Sequence, residues 1–172
     1  MIRPKNLNQF NSKKILKINN LKKEINNLKK KRKKVGLCVG GYDLLHPGHA
    51  LHFKAAKKLC DVLIVGITTD EFVQNRKGMG RPIYSQELRT FFVSQIESVD
   101  FVVLSPYKTA VDLILKLKPD IYIKGPDYIS KTTPGITSER VAIRDIGGII
   151  KYTKEEKLAT TEIINYIKKM VK

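Results

Sequence analysis

Apolar positions along this chain fall into short blocks separated by longer mixed stretches. Val35–Val39, Val62–Ile67, Phe101–Leu104, Ile121–Ile123 and Gly148–Tyr152 are near-continuous apolar runs, the pattern of strands buried on both faces. Between them, helical spacing is read over residues 48–59, 85–96 and 110–117, with a short helix over 138–145 and a last one over 161–170. Residues 68–84 read as a polar loop through Arg81-Pro82, and no pattern is assigned to Ser130–Thr137. Strands alternating with helices predict an α/β fold whose five-stranded parallel sheet is covered on both faces and joined by right-handed crossovers. In such a sheet, ligands bind beyond the carboxyl ends of the strands, where the strand order reverses.

Ahead of the first strand, Ile18, Leu21, Ile25 and Leu28 step by three, four and three, so one face of a helix over residues 12–33 is apolar. Asn11 or Ser12 is the expected cap. The chain has 33 Lys+Arg against 16 Asp+Glu, a formal charge of +17, and most of the excess lies before residue 35, where Glu24 is the single acid. The division expected is a basic amphipathic helical extension over residues 1–34 and a main domain over 35–172. Such a helix can dock its stripe on the body, pair with a second copy, or recruit RNA or an acidic membrane surface. Aromatic residues that would stack on bases do not interleave these lysines, which makes nucleic acid the weaker partner.

At 172 residues and 42% hydrophobic, the chain can bury a core without cross-links. Cys38 and Cys60 are too few for a disulfide framework and read as small buried hydrophobes. The sequence has no apolar run of membrane-spanning length and no secretory signal pattern, so a cytoplasmic enzyme is expected.

Reactive residues concentrate in one place. The first strand runs into Gly40-Gly41-Tyr42-Asp43-Leu44-Leu45-His46-Pro47-Gly48-His49. Gly40 and Gly41 allow close approach of backbone to a ligand, and Pro47 suits a first helical turn. A helix N-terminus directed at the sheet's carboxyl edge is an anion site, suited above all to phosphate. His46 and His49, three apart, can both face that anion and donate to charge that grows during transfer. A zinc site of His46, His49, His52 and Asp43 is the competing arrangement, although this spacing turns His52 well away from His46. Packing against the sheet is the expectation for His52.

Residues 41–49, Gly-Tyr-Asp-Leu-Leu-His-Pro-Gly-His, resemble the His-x-Gly-His signature of the cytidylyltransferase-like nucleotidyltransferases. Thr68–Phe72 is similar to the segment after the second strand of glycerol-3-phosphate cytidylyltransferases. Lys77-Gly78, Arg81-Pro82 with Arg89, Glu97–Asp100, Lys124–Tyr128, Gly147-Gly148 and Thr160-Thr161 together resemble the nucleotidyltransferase domain of ADP-heptose synthases, in the same order.

The resemblance implies a Rossmann-like three-layer fold and transfer of AMP or CMP from ATP or CTP to a phosphorylated sugar or polyol, with release of pyrophosphate. It implies that His46 and His49 bind the triphosphate and steady the transition state. Lys77 would bridge the acceptor phosphate and the α-phosphate, and Asp43 would orient the site or a metal-bound water. Gly40, Gly41, Tyr42 and Gly48 would line the nucleotide site. Lys124, Gly125 and Asp127 would border the nucleoside, Thr160 and Thr161 would hold the outer phosphates, and Arg81 and Arg89 would contact the acceptor. Mg²⁺ is expected with the triphosphate, and a homodimer is expected from the relatives.

Two departures stand out. Lys157-Leu158-Ala159-Thr160-Thr161 replaces one hydroxyl residue and one glycine of the family's pattern before the last helix. Glu97 stands where the glycerol enzymes have Arg and the heptose domain has Glu, which tilts the acceptor away from glycerol phosphate. The first alternative is a cytidylyltransferase for small phosphorylated alcohols. The alternative of another class is a non-catalytic nucleotide- or RNA-binding module that uses the basic tail.

Overall fold

The structure is a computed structural model that describes residues 1–156 and 158–171. Five strands, β1 (Val35–Gly40), β2 (Val62–Thr68), β3 (Phe101–Ser105), β4 (Ile121–Lys124) and β5 (Ile149–Tyr152), form one parallel sheet in the order β3-β2-β1-β4-β5. The seven helices of the described residues are α1 (Ile18–Lys30), α2 (Pro47–Lys57), α3 (Asp70–Lys77), α4 (Gln86–Ser94), α5 (Ala110–Leu117), α6 (Pro134–Asp145) and α7 (Thr160–Met170).

Alternation along each strand sends side chains to two cores. Leu37, Ile64, Val103 and Tyr122 join Leu21 and Ile25 of α1, Leu113 and Ile114 of α5, and Ile143 of α6 on one face. Cys38, Leu63, Val65, Ile67 and Ile123 join Phe53 of α2 and Val93 of α4 on the other. The result is the expected three-layer, Rossmann-like arrangement. In α5, Ala110, Leu113, Ile114 and Leu117 are all buried, which is the helical stripe its spacing dictates.

The N-terminal segment differs in detail from its sequence pattern. Its helix begins at Ile18 rather than near residue 12, because residues 14–16 pair with the edge strand instead. The Leu16 N–H donates to the Val102 carbonyl at 2.9 Å and the Val102 N–H to that of Lys14 at 2.8 Å. Neither Asn11 nor Ser12 caps α1, whose N-cap position is Lys17. Leu21 and Ile25 are fully buried, so the apolar stripe is docked on the body and the exposed edge of β3 is covered. Ile2 also pairs with the backbone at Ile83 and Ser85.

Helix α3 occupies about half of the stretch read as a polar loop. Val73 is its single buried residue, so it carries almost no apolar period. Its signals are electrostatic: Asp70 and Glu71 in the first turn, Arg76 and Lys77 in the last, and Gly78 at φ +88° just beyond. Helix α6 starts four residues before the expected 138, at Pro134, a proline in the first turn that takes in part of the unassigned loop. No helix among the described residues is long and apolar enough to cross a membrane.

Candidate active site

Order reverses at β1, which has β2 on one side and β4 on the other. A cavity of about 990 Å³ opens there, beyond the carboxyl ends of β1 to β4. Its wall includes Gly40, Gly41, Tyr42, His46, Gly48, His49, Lys77, Lys124, Gly125, Asp127 and Thr160, eleven of the fifteen residues singled out from the sequence.

The turn after β1 is held open from behind. Tyr42 adopts φ +43°, a left-handed conformation unusual for a side chain of this size. Its ring lies back over Gly40, where a Cβ would sit 2.9 Å away, and packs on Phe53 and on the edge of His49. Gly48 is equally constrained, since a Cβ there would lie 2.9 Å from the Leu158 Cβ and 3.1 Å from the His46 ring. The segment before α7 therefore presses directly on the N-terminus of α2.

His46 is the N-cap residue of α2 and His49 its third helical residue, and their rings lie 3.8 Å apart, centroid to centroid, tilted by 31°. The His46 N–H approaches His49 Nδ1 at 3.4 Å. Burial, the neighbouring imidazoles His46 and His52, and Lys77 together hold the His49 pKa down to about 3. Burial also lowers that of His46, with Lys77 acting in the same sense and Glu162 opposing. Both rings are thus neutral near pH 7. With Nδ1 turned to the backbone, His49 carries its proton on Nε2, and the Nδ1 of His46 is buried with no hydrogen-bond partner among the described residues.

Lys77, the last residue of α3, sits among Arg76, Arg81 and Arg89; burial and these cations lower its pKa, while Asp43 opposes them. Lys124, at the end of β4, is buried with its Nζ 2.9 Å from Glu139 Oε2, 3.2 Å from the Tyr122 hydroxyl and 4.1 Å from the centre of the Tyr128 ring. Asp127 follows it and pairs with Lys131 at 3.0 Å. Thr160 is the buried first residue of α7, whose N-cap is Ala159; the Ala159 N–H donates to Glu162 Oε2 at 3.2 Å.

Four residues fall elsewhere. Asp43 is 1% exposed and does not line the cavity: Oδ1 accepts from the Ile83 N–H at 2.5 Å and Oδ2 pairs with Arg81 Nε at 2.8 Å. The two residues thus hold each other behind the cavity wall, and Arg81 Nη1 is left without a hydrogen-bond partner among the described residues. Arg89, also 1% exposed, donates to the carbonyls of Gly41, Thr68 and Tyr84 and to Asp70 Oδ1, so its donors are engaged inside the protein and it tethers elements instead of meeting an acceptor. Thr161 is exposed and outside the cavity wall. Glu97 is likewise exposed and outside it. Lys157 lies outside the described residues.

Several wall residues carry no sequence signal of their own. His52 faces the segment after β5, with Nδ1 3.0 Å from Thr153 Oγ1 and 2.8 Å from Glu155 Oε1. Its orientation, with that of Asp43, dismantles the proposed zinc set, and no group of three or more His, Cys, Asp or Glu among the described residues is placed to hold a metal. Glu139 in α6 neutralises Lys124 from 15 positions away, a pairing that only the fold creates.

A family model described as cytidylyltransferase-like matches residues 37–166. The bifunctional protein HldE of Helicobacter pylori strain G27 is 42% identical over 119 residues, 69% of this chain and 26% of that protein. HldE of Caulobacter vibrioides is 43% identical over 102 residues, 59% of this chain and 21% of that protein. The chain thus spans about a quarter of the length of the curated relatives it matches. A solved lipopolysaccharide core biosynthesis protein from Thermoplasma volcanium superposes with TM-score 0.60 at 26% identity, covering 74% of this chain and 99% of that one. Pantoate-beta-alanine ligase from Francisella tularensis shares the fold at TM-score 0.57 and 17% identity, covering 93% and 79%.

Proposed function

This chain belongs to the cytidylyltransferase-like family, and on that premise we propose that it moves AMP or CMP from ATP or CTP onto the phosphate of a sugar or polyol, releasing pyrophosphate. The observation that carries this reading is the convergence, on one cavity, of the α2 N-terminus, the neutral His46–His49 pair, Lys77 and the α7 N-terminus at Thr160. Relatives named HldE and a lipopolysaccharide core biosynthesis protein support a sugar phosphate as the acceptor.

In this mechanism an oxygen of the acceptor phosphate attacks the α-phosphorus, and the bond to the pyrophosphate oxygen breaks. No covalent intermediate with the protein is formed, so positioning and charge stabilisation supply the catalysis. His49 donates from Nε2 to the α-phosphate, where a neutral donor stabilises developing charge without first losing a proton. His46 and the N–H groups of the first turn of α2 hold the adjoining phosphates. Lys77 lies between the acceptor phosphate and the α-phosphate, and the downward shift that burial and its neighbouring cations give its pKa is opposed when both anions bind. Gly125 and Asp127 border the nucleoside, and Thr160 takes an outer phosphate.

Mg²⁺ belongs to the substrate in this reading, arriving on the triphosphate. Three of the cavity's carboxylates are already engaged, Asp127 by Lys131, Glu139 by Lys124 and Glu155 by His52, and they form no cage. The catalytic unit proposed is residues 35–172, acting in the cytoplasm as a homodimer. Cys38 and Cys60 remain free thiols, in keeping with a reducing compartment.

The test is pyrophosphate release by the full chain with Mg²⁺, each of ATP, CTP, GTP and UTP, and a panel of sugar and polyol phosphates. Release that depends on both one nucleotide and one acceptor supports the reading, and none across the panel refutes it.

A further inference from the structure

Charge in the cavity is divided between its two halves. Arg76, Lys77 and Lys108 come from α3 and the β3–α5 connection, whereas its carboxylates come from segments after β4 and β5. Lys124, on the acidic side, is already paired with Glu139. The β2–β3 half of the wall therefore offers cations and hydroxyls without a carboxylate, which suits a ligand group that only accepts hydrogen bonds.

Ser105 ends β3 in that half. It is 1% exposed and part of the cavity wall, and its hydroxyl has no partner among the described residues. A buried hydroxyl left without a partner destabilises the fold unless something bound there supplies one. Thr68 stands beside it in register on β2. Four residues later stands Thr109, the N-cap residue of α5, with no side chain capping the first turn. Thr109 and Ala110 are both in the wall. Asp112, in that first turn, is exposed and outside it.

Topology separates this corner from the other anion sites. Helix α5 follows edge strand β3, α7 follows the opposite edge strand β5, and α2 lies between them after β1. In the transferase reading, on which this inference rests, α2 and α7 hold the donor's triphosphate, and α5 is left over. We propose that Ser105, Lys108 and the first-turn N–H groups of α5 form an oxyanion subsite that holds the acceptor's phosphate, with Lys77 between it and the donor. The corner recognises a phosphate monoester, and the rest of the acceptor is oriented from it.

The test uses the full chain labelled with ¹⁵N and inorganic phosphate as the probe. The expected result is saturable shifts of the Ser105, Thr109, Ala110 and Val111 amides, reduced roughly tenfold in affinity by Ser105→Ala and by Lys108→Gln. In turnover, both variants raise the acceptor KM by about the same factor and leave the nucleotide KM and kcat nearly unchanged, a split that general loosening of the fold would not give. Amides of α5 that stay still, or that titrate in both variants with the affinity of the parent chain, overturn the subsite. Shifts that behave as expected in a protein that releases no pyrophosphate keep the subsite and remove the transferase reading instead.

Discussion

The Arg89 guanidinium donates to the Gly41 carbonyl at 2.5 Å, across 48 positions of sequence, and so ties α4 to the turn that carries both histidines. The same side chain reaches Thr68 at the end of β2, Asp70 at the start of α3 and the Tyr84 carbonyl. One buried cation thereby sets the relative positions of three elements that line the cavity.

Replacing it with methionine leaves those acceptors and Asp70 without their donor. Arg89→Met is expected to cost about 3–5 kcal/mol in urea denaturation, the range for removing one partner of a buried charged network. A loss below about 1 kcal/mol would show that the tether is dispensable.

The imidazole pair makes stability depend on pH. The folded-state pKa of His49, about 3, lies below its unfolded value near 6.5. The unfolded chain therefore binds more protons between those values, and stability is full above about pH 6.5 and falls as pH is lowered through the window. At pH 5 the His49 contribution to that loss is about 1–2 kcal/mol. His49→Gln should remove that part of the decline when urea midpoints at pH 7.5 and pH 5 are compared. An equal decline in the variant contradicts the assignment.

Much of this architecture was legible because both layers are periodic. Five apolar runs located five strands, and the glycine-rich turn before His46 located the cavity, since backbone approach and a helix N-terminus have local sequence signatures. The functions of Asp43 and Arg89 had none. Each was read as a site residue from its place in a motif, but their partners Ile83, Arg81 and Gly41 are brought to them by the tertiary fold. Helix α3 was missed for a related reason: a helix that buries Val73 alone leaves charge at its ends as its main trace. Glu139 and Glu155 entered the site through pairings with Lys124 and His52 that no spacing announces.

Docking of α1 has a direct consequence for the basic extension. Leu21 is 0% exposed and belongs to the core that includes Leu37 and Ile114. Leu21→Ala is expected to destabilise the whole chain by about 2–5 kcal/mol, as cavity-forming core substitutions do. Calorimetry should show one transition moving to lower temperature. A variant that unfolds like the parent would make the extension an independent appendage, available for the RNA-binding alternative.

Lys77 tests the division between binding and chemistry. Lys77→Ala is expected to lower kcat for pyrophosphate release by roughly 10²–10³ with little change in the urea midpoint, because the side chain lies at the end of α3 and outside both cores. An unchanged kcat would remove it from the reacting centre.

The most direct measurement follows the label from [α-³²P]ATP or CTP in the presence of Mg²⁺ and a sugar phosphate. Nucleotidyl transfer places the label in a nucleotide-sugar joined through a diphosphate, with unlabelled pyrophosphate released in equal amount, and His49→Ala slows this by roughly 10²–10³. Label recovered only in a nucleoside diphosphate or monophosphate, with none joined to the acceptor, would contradict the account.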